Sequence, residues 1–126
     1  GIRLSPGGYL NEIEGDARDA MVFSHLLSQL SHLGLAYVHT GNFDDSVKFP
    51  ELGGKTMTGF IREHYKGTVI ACGGYKIDEV EDMLNQNQFD LVAFGKPFIA
   101  NPDLVNRIHN GDDIKPYVSE MLNTLK

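Results

Sequence analysis

The chain has little of three things that would assign it to particular classes of protein. Its 126 residues include one cysteine, Cys72, so no disulfide can form within the chain, as is usual in the reducing cytoplasm. Lysine and arginine total 11 against 17 aspartate and glutamate residues, giving a net charge of -6. An acidic chain repels phosphodiester backbones, which excludes nucleic acid as the default partner.

Long apolar runs are also missing. No stretch approaches the ~18 consecutive apolar residues of a membrane helix, so we expect no membrane span. Residues 1–6 lack the basic region and apolar run of a signal peptide. No group of His, Cys, Asp and Glu has metal-ligand spacing, and we predict no metal site. No Ser-His-Asp arrangement or pair of carboxylates indicates a hydrolase, so the pattern assigns no catalytic residue.

The sequence instead repeats one pattern four times: a short, mostly apolar run, a Gly-rich or polar stretch, and a helical segment. The apolar runs are residues 2–4, 35–39, 68–72 and 91–94. They do not alternate between apolar and polar, which is typical of parallel strands buried on both faces. Repeated βα units form either an open doubly wound sheet or a barrel.

The segments between these runs predict helices. Apolar residues recur at helical spacing between Asp16 and Leu33, a shorter helix is predicted over 57–65, and another is predicted to follow Gly74. In 101–103 the sequence Asn-Pro-Asp predicts a helix start, because Asn caps, Pro takes the first helical position and Asp favours the dipole. A last helix is predicted near 114–125.

We therefore predict an α/β fold in which four consecutive βα units form half of a TIM-type (β/α)8 barrel. A complete barrel has ~250 residues, so residues 1–126 are predicted to be a single half-barrel domain, a fragment of a larger barrel. A small open sheet is the alternative. Residues 40–56 are rich in Gly, Asp and Pro, and a connection of that length usually covers a site or is mobile.

Ligands of parallel α/β folds bind at the C-terminal ends of the strands. There Gly73-Gly74 and Gly95-Lys96 follow two successive predicted strands. Glycine lets the backbone approach an anion closely, its N–H can donate to phosphate oxygens, and Lys96 adds a positive charge. The pattern predicts a phosphate site as readily as the alternative, in which these glycines only form tight turns.

Three further residues on the predicted strands could carry chemistry. Arg3 needs a partner, because a buried unpaired charge is costly; the pattern favours a carboxylate over the electron-rich edge of a cofactor ring. For His39 the pattern favours a structural role, hydrogen-bonded to the long loop, over contact with a ligand. Cys72 has no activating base nearby in sequence, so we predict a buried, inert thiol.

Four segments together resemble the old yellow enzyme family. They are residues 3–6 (RLSP), 37–39 (YVH), 69–75 (VIACGGY) and 93–104 (AFGKPFIANPDL). Their order and spacing match strands five to eight of the family's barrel, and the resemblance covers nearly the whole chain. It implies FMN as cofactor and the reduction of activated carbon–carbon double bonds with hydride from NADH or NADPH.

The resemblance also implies roles for single residues. Arg3 would approach the N1/O2 edge of the flavin and stabilise negative charge on the reduced ring. The backbone at Gly73 and Gly74, with Gly95 and Lys96, would hold the FMN phosphate. The family usually has arginine at the position of Lys96, and lysine keeps the charge but loses the bidentate fork.

The family's substrate-anchoring residues and proton-donating tyrosine come from its first four strands, which this sequence does not contain, while Tyr75 would flank the site. The resemblance thus implies the C-terminal portion of an ene-reductase, supplying the flavin phosphate site and inactive alone. Two alternatives remain: a non-catalytic, self-associating half-barrel, and a weak binding module for phosphorylated small molecules. Exposed strand edges and an uncovered apolar face predict a homo-oligomer.

Overall fold

The computed structural model describes residues 1–8 and 13–124. Strands and helices alternate through the first part of the chain, and helices follow in the second. The elements are β1 (Ile2–Leu4), α1 (Asp19–Leu30), β2 (Val38–Thr40), α2 (Met57–His64), β3 (Val69–Ala71), α3 (Ile77–Asn85), β4 (Leu91–Val92), α4 (Lys96–Ala100) and α5 (Leu104–Asn110). Two short 3-10 helices cover Pro50–Leu52 and Ser119–Thr124.

The four strands form one parallel sheet in the order β1-β2-β3-β4. The predicted parallel α/β fold is confirmed. One row of paired residues crosses the sheet, from Arg3 to His39, Ile70 and Leu91. Because side chains alternate between the faces of a strand, all four project from the same face.

The helices cover the opposite face. Val38, Val69 and Ala71 are fully buried there, as are Leu27 of α1 and Ile61 of α2. On the face of the Arg3 row, by contrast, Arg3 and Leu91 are exposed. The expectation of burial on both faces is therefore wrong for this chain by itself, because the described residues supply helices to one face only.

The chain divides into two compact units, Gly1–Ala93 and Phe94–Lys126. The first contains the sheet and α1 to α3, and the second contains α4 and α5. A single domain over 1–126 stays a prediction.

Two predicted helices differ from those observed. Asn101 does not begin a helix: it follows α4, its side-chain amide donates to the carbonyls of Pro97 and Lys115, and its Oδ1 accepts from Lys115 N–H. The helix predicted over 114–125 is reduced to the 3-10 turn Ser119–Thr124, because Pro116 interrupts the window and cannot donate within a helix. Leu125 lies outside the described residues.

The second strand is shorter than predicted. It begins at Val38 rather than at residue 35. The first hydrogen bond toward β1 is accepted by the carbonyl of Tyr37 from Ile2 N–H. Gly34 lies just before this segment with a φ of 63°, so the chain is still turning where the apolar run starts.

Candidate functional site

The turn after β3 requires glycine at both of its positions. A Cβ on Gly73 would lie 2.6 Å from both the Cβ and the backbone nitrogen of Asp45, which is closer than real carbon contacts. Gly74 has a φ of 74°, in the left-handed region that other residues rarely adopt. The predicted glycine turn at the C-terminal end of a strand is thus built into the packing of the first unit.

The same turn offers unpaired hydrogen-bond donors. The carbonyl of Gly73 accepts from Asp45 N–H at 2.9 Å, but the N–H groups of Gly73 and Gly74 donate to no atom of residues 1–8 or 13–124. Two successive free N–H groups at the end of a parallel strand form a donor set suited to phosphate oxygens.

A buried carboxylate, Asp45, lies beside this turn. Its Oδ1 accepts from Asn42 Nδ2 and from Thr58 N–H, both at 3.0 Å, and its Oδ2 accepts from the Tyr75 hydroxyl at 2.5 Å. The ring of Tyr75 packs against Phe89, with 5.1 Å between the centroids. Burial, and secondly the bond to Asp45, raises the pKa of Tyr75 above its usual range, so the phenol stays protonated at neutral pH.

Sequence reasoning missed Asp45. The signal available was its position in the long Gly- and Asp-rich connection between β2 and α2, which identifies a covering loop but not a particular side chain. Its partners lie three, 13 and 30 residues away along the chain, and no local pattern connects them.

Cys72 is also held by the end of β2. The hydroxyl of Thr40 accepts from Cys72 N–H at 2.7 Å and donates to the Cys72 carbonyl at 3.2 Å. The sequence predicted a buried thiol, whereas the Cys72 residue is only half-buried. Thr40 fixes the backbone immediately before the glycine turn.

Arg3 and His39 lie side by side on the face of the sheet that the described helices leave uncovered, which we call the open face. There they line a cavity of about 310 Å³. None of the ion pairs among the described residues includes Arg3, so the expected carboxylate partner is not found in that part of the chain. Partial burial, and then the charge of Arg3, lowers the pKa of His39. The expected hydrogen bond from His39 to the long loop is likewise not found among the described residues.

Gly95 and Lys96 belong to the second unit, at the beginning of α4. A Cβ on Gly95 would meet no atom within 4 Å, so packing does not require glycine there. The Lys96 ammonium lies 5.8 Å from the centroid of the Tyr117 ring, within cation–π range. None of the ion pairs that the structure describes includes Lys96, which leaves its charge available to an anion.

The structure places three of the predicted site residues in the first unit. Gly73 and Gly74 share one turn, and Arg3 lies on the open face of the same sheet. Convergence of the first pair with Gly95 and Lys96 stays a prediction.

The family model described as NADH:flavin oxidoreductase / NADH oxidase matches residues 1–114. The chain belongs to this family. The resemblance to old yellow enzyme is thereby confirmed, and membership implies FMN as the cofactor.

Similar proteins from two plants support membership of this flavin oxidoreductase family. A 12-oxophytodienoate reductase-like protein of Solanum lycopersicum is 32% identical over 117 residues, which are 93% of this chain and 30% of the relative. The 12-oxophytodienoate reductase 2 of Arabidopsis thaliana is 31% identical and covers 93% of this chain and 31% of its own length. The chain thus spans less than a third of these relatives.

Two solved structures give the same result. A morphinone reductase in complex with tetrahydroNAD superposes with a TM-score of 0.74 at 32% identity, over 94% of this chain and 31% of that chain. The old yellow enzyme from Trypanosoma cruzi gives a TM-score of 0.73 at 28% identity, over 94% and 30%. The parallel α/β architecture is therefore that of the family's barrels.

Two further features concern the partners of this family member. Among residues 1–8 and 13–124 no cluster of three or more His, Cys, Asp or Glu side chains could hold a metal ion. Within the same ranges, no helix has the length and apolar character needed to cross a bilayer.

Proposed function

We propose that the chain forms strands five to eight of an FMN-dependent (β/α)8 oxidoreductase and supplies the binding site for the flavin phosphate. The observation that carries this proposal is the glycine turn after β3, in which the N–H groups of Gly73 and Gly74 donate to no described residue. Phosphate sites of such barrels commonly use the loops after strands seven and eight. The order of the four parallel strands and the family match support the same assignment.

The residues present fit the phosphate of FMN. Gly73 and Gly74 would donate from the backbone, and Lys96 would supply a positive charge near Gly95. Arg3, exposed on the sheet and without a carboxylate among the described residues, would stabilise negative charge at the N1/O2 edge. When bound, FMN supplies hydride transfer between NADH or NADPH and an activated alkene.

We further propose that the 126-residue chain is inactive by itself. The chain spans less than a third of the Solanum lycopersicum relative and of the morphinone reductase named above, and no catalytic residue is assigned to it. Tyr75 directly follows the glycine turn, and its hydroxyl is already bonded to Asp45. The chain would bind flavin and leave NADPH unoxidised. The single Cys72 supports a cytoplasmic location.

Titration with FMN tests the proposal. We expect the flavin fluorescence to be quenched on addition of the chain, and no consumption of NADPH with 2-cyclohexenone as acceptor. Inorganic phosphate should compete with FMN. A chain that binds phosphate but holds FMN no more tightly than phosphate would instead be a weak phosphate-binding module, and a chain that binds neither would refute the assignment.

A second candidate function is self-association without catalysis. The apolar residues Ile70 and Leu91, on the sheet face that the described helices leave uncovered, favour it. Ile70 is half-buried and Leu91 is 54% exposed, and such apolar surface is usually covered by a partner. We expect a homo-oligomer in light scattering and a shift toward monomer in Leu91→Lys. Val105→Lys, at an exposed apolar residue of α5, is the matched control. A monomer at high concentration would exclude this function.

A further inference from the structure

The loop that follows β2 packs directly against the turn after β3. Asp45 N–H donates to the Gly73 carbonyl at 2.9 Å, and Gly73 has no space for a Cβ on that side. The carbonyl of Phe43 lies 3.3 Å from the position that a Cβ would take on Gly74. The two segments are thus joined by a backbone hydrogen bond at Gly73 and lie close together at Gly74.

The side chain of Asp45 makes a second attachment, just beyond the glycines. Its Oδ2 accepts from the hydroxyl of Tyr75, the residue that follows Gly74. Its Oδ1 is fixed by Asn42 in the loop and by Thr58 in the first turn of α2. Asp45 is therefore bonded to the residues on both sides of Gly74. Through Thr58 it connects this turn to α2.

These attachments leave the donors of the turn free. The Gly73 carbonyl and the Tyr75 hydroxyl are bonded to Asp45, whereas the N–H groups of Gly73 and Gly74 have no acceptor among the described residues. A site whose donors are already held in place loses little entropy when it binds an anion. The binding strength of such a turn depends on what keeps it rigid.

We propose that Asp45 is a positioning residue, which holds the Gly73–Gly74 turn in the conformation whose N–H groups donate to the FMN phosphate. Asp45 itself touches no ligand. The inference rests on the proposed function and adds to it the residue that sets the phosphate affinity.

The test compares FMN with riboflavin, which has the same ring system but no phosphate. The variants are Asp45→Asn and Tyr75→Phe, and the matched control is Asp44→Asn, whose exposed carboxylate accepts from Ser46 and from no other described residue. We expect FMN affinity, measured by fluorescence quenching, to fall about tenfold in both variants while riboflavin affinity stays within about twofold. The control should leave both affinities unchanged.

A second readout does not depend on flavin. In a ¹H–¹⁵N spectrum, inorganic phosphate should shift the Gly73 and Gly74 amide resonances of the wild-type chain. The same shifts should need about ten times more phosphate in Asp45→Asn. If Asp45→Asn loses its native circular dichroism, the test of the positioning role rests on Tyr75→Phe. This variant removes a single oxygen atom and therefore disturbs the fold less.

The outcomes separate the two proposals. Equal losses of FMN and riboflavin affinity would show that Asp45 is merely structural, and unchanged FMN affinity in a folded variant would also overturn the positioning role. A wild-type chain that binds neither FMN nor inorganic phosphate would reject the proposed function, and the positioning role with it.

Discussion

The hydroxyl of Tyr75 lies 2.5 Å from a carboxylate oxygen of Asp45, and this bond joins the turn after β3 to the loop after β2. The phenol is largely buried, and its pKa is raised above the ordinary tyrosine value of 10.0, first by burial and then by Asp45. Ionisation of Tyr75 would place two negative charges side by side.

This relationship predicts a loss of stability in alkali. The folded state keeps the Tyr75 proton at pH values where the unfolded chain releases it, so the contribution is complete below pH 10 and declines as the pH rises above it. We expect the free energy of unfolding in urea to fall as the pH rises from 10 to 12. Tyr75→Phe should flatten this slope, whereas Tyr37→Phe, at an exposed tyrosine, should retain it. Equal slopes in wild type and Tyr75→Phe would contradict the prediction.

The two candidate glycines should respond differently to alanine. Gly73→Ala places a Cβ 2.6 Å from the Asp45 backbone, and we expect it to destabilise the chain by about 1–3 kcal/mol through overpacking. Gly95→Ala meets open space at a φ of -94°, and its effect should stay within about 0.5 kcal/mol. Urea unfolding measures both, and similar values would show that the packing around Gly73 relaxes.

Acid should weaken the contact between α2 and the start of β3. Burial raises the pKa of Asp90, but hydrogen bonds from Val69 N–H and Arg62 outweigh it and lower the pKa below 3.8. This contribution is present above pH 3.8 and is lost as the pH falls through the lower, folded-state pKa. Asp90→Asn should reduce the change in stability between pH 5 and 2. Asp82→Asn, on the exposed part of α3, serves as the control.

Lys96 offers a test of the second unit's part in flavin binding. We expect Lys96→Ala to lower FMN affinity by about tenfold and Lys96→Arg to preserve or raise it, because the guanidinium can hold a phosphate with two bonds. Lys115→Ala removes another exposed lysine of the same unit and should have little effect. FMN titrations check all three, and a tight-binding Lys96→Ala would remove Lys96 from the site.

Asn101 should be the main polar anchor of the second unit. It is 1% exposed, and its side chain makes three hydrogen bonds to the backbone of Pro97 and Lys115. Asn101→Ala leaves buried groups unpaired, at a cost of about 1–3 kcal/mol. Asn106→Ala, on the exposed side of α5, should cost far less, and thermal unfolding compares the two.

The parallel order of the strands could be predicted because it depends on local signals. Short apolar runs, each followed by a turn and a helical segment, indicate βα units, and the glycine turn at residues 73–74 was predicted in the same way. Asn101 shows where such signals fail. Asn-Pro-Asp is a good helix start in isolation, but the side chain of Asn101 is used instead by the backbone of Lys115, 14 residues further on.

In the candidate site, too, only the residues marked by local signals could be predicted. Gly73 and Gly74 follow from the end of a strand, but the buried Asp45 depends on partners in three different segments. The uncovered sheet face with Arg3 and Leu91 was expected from the number of units. Which residues stay exposed there depends on the strand register, which the sequence pattern does not specify.

The contact between Asp45 and Gly73 limits where this protein could tolerate insertions. The connection over residues 41–56 is long, yet its first part is pinned at Asp45, one backbone hydrogen bond from the neighbouring turn. Extra residues placed before Asp45 would pull that turn out of position, whereas extra residues at the exposed Gly53 and Gly54 meet no packed neighbour. A peptide tag therefore belongs at that glycine pair.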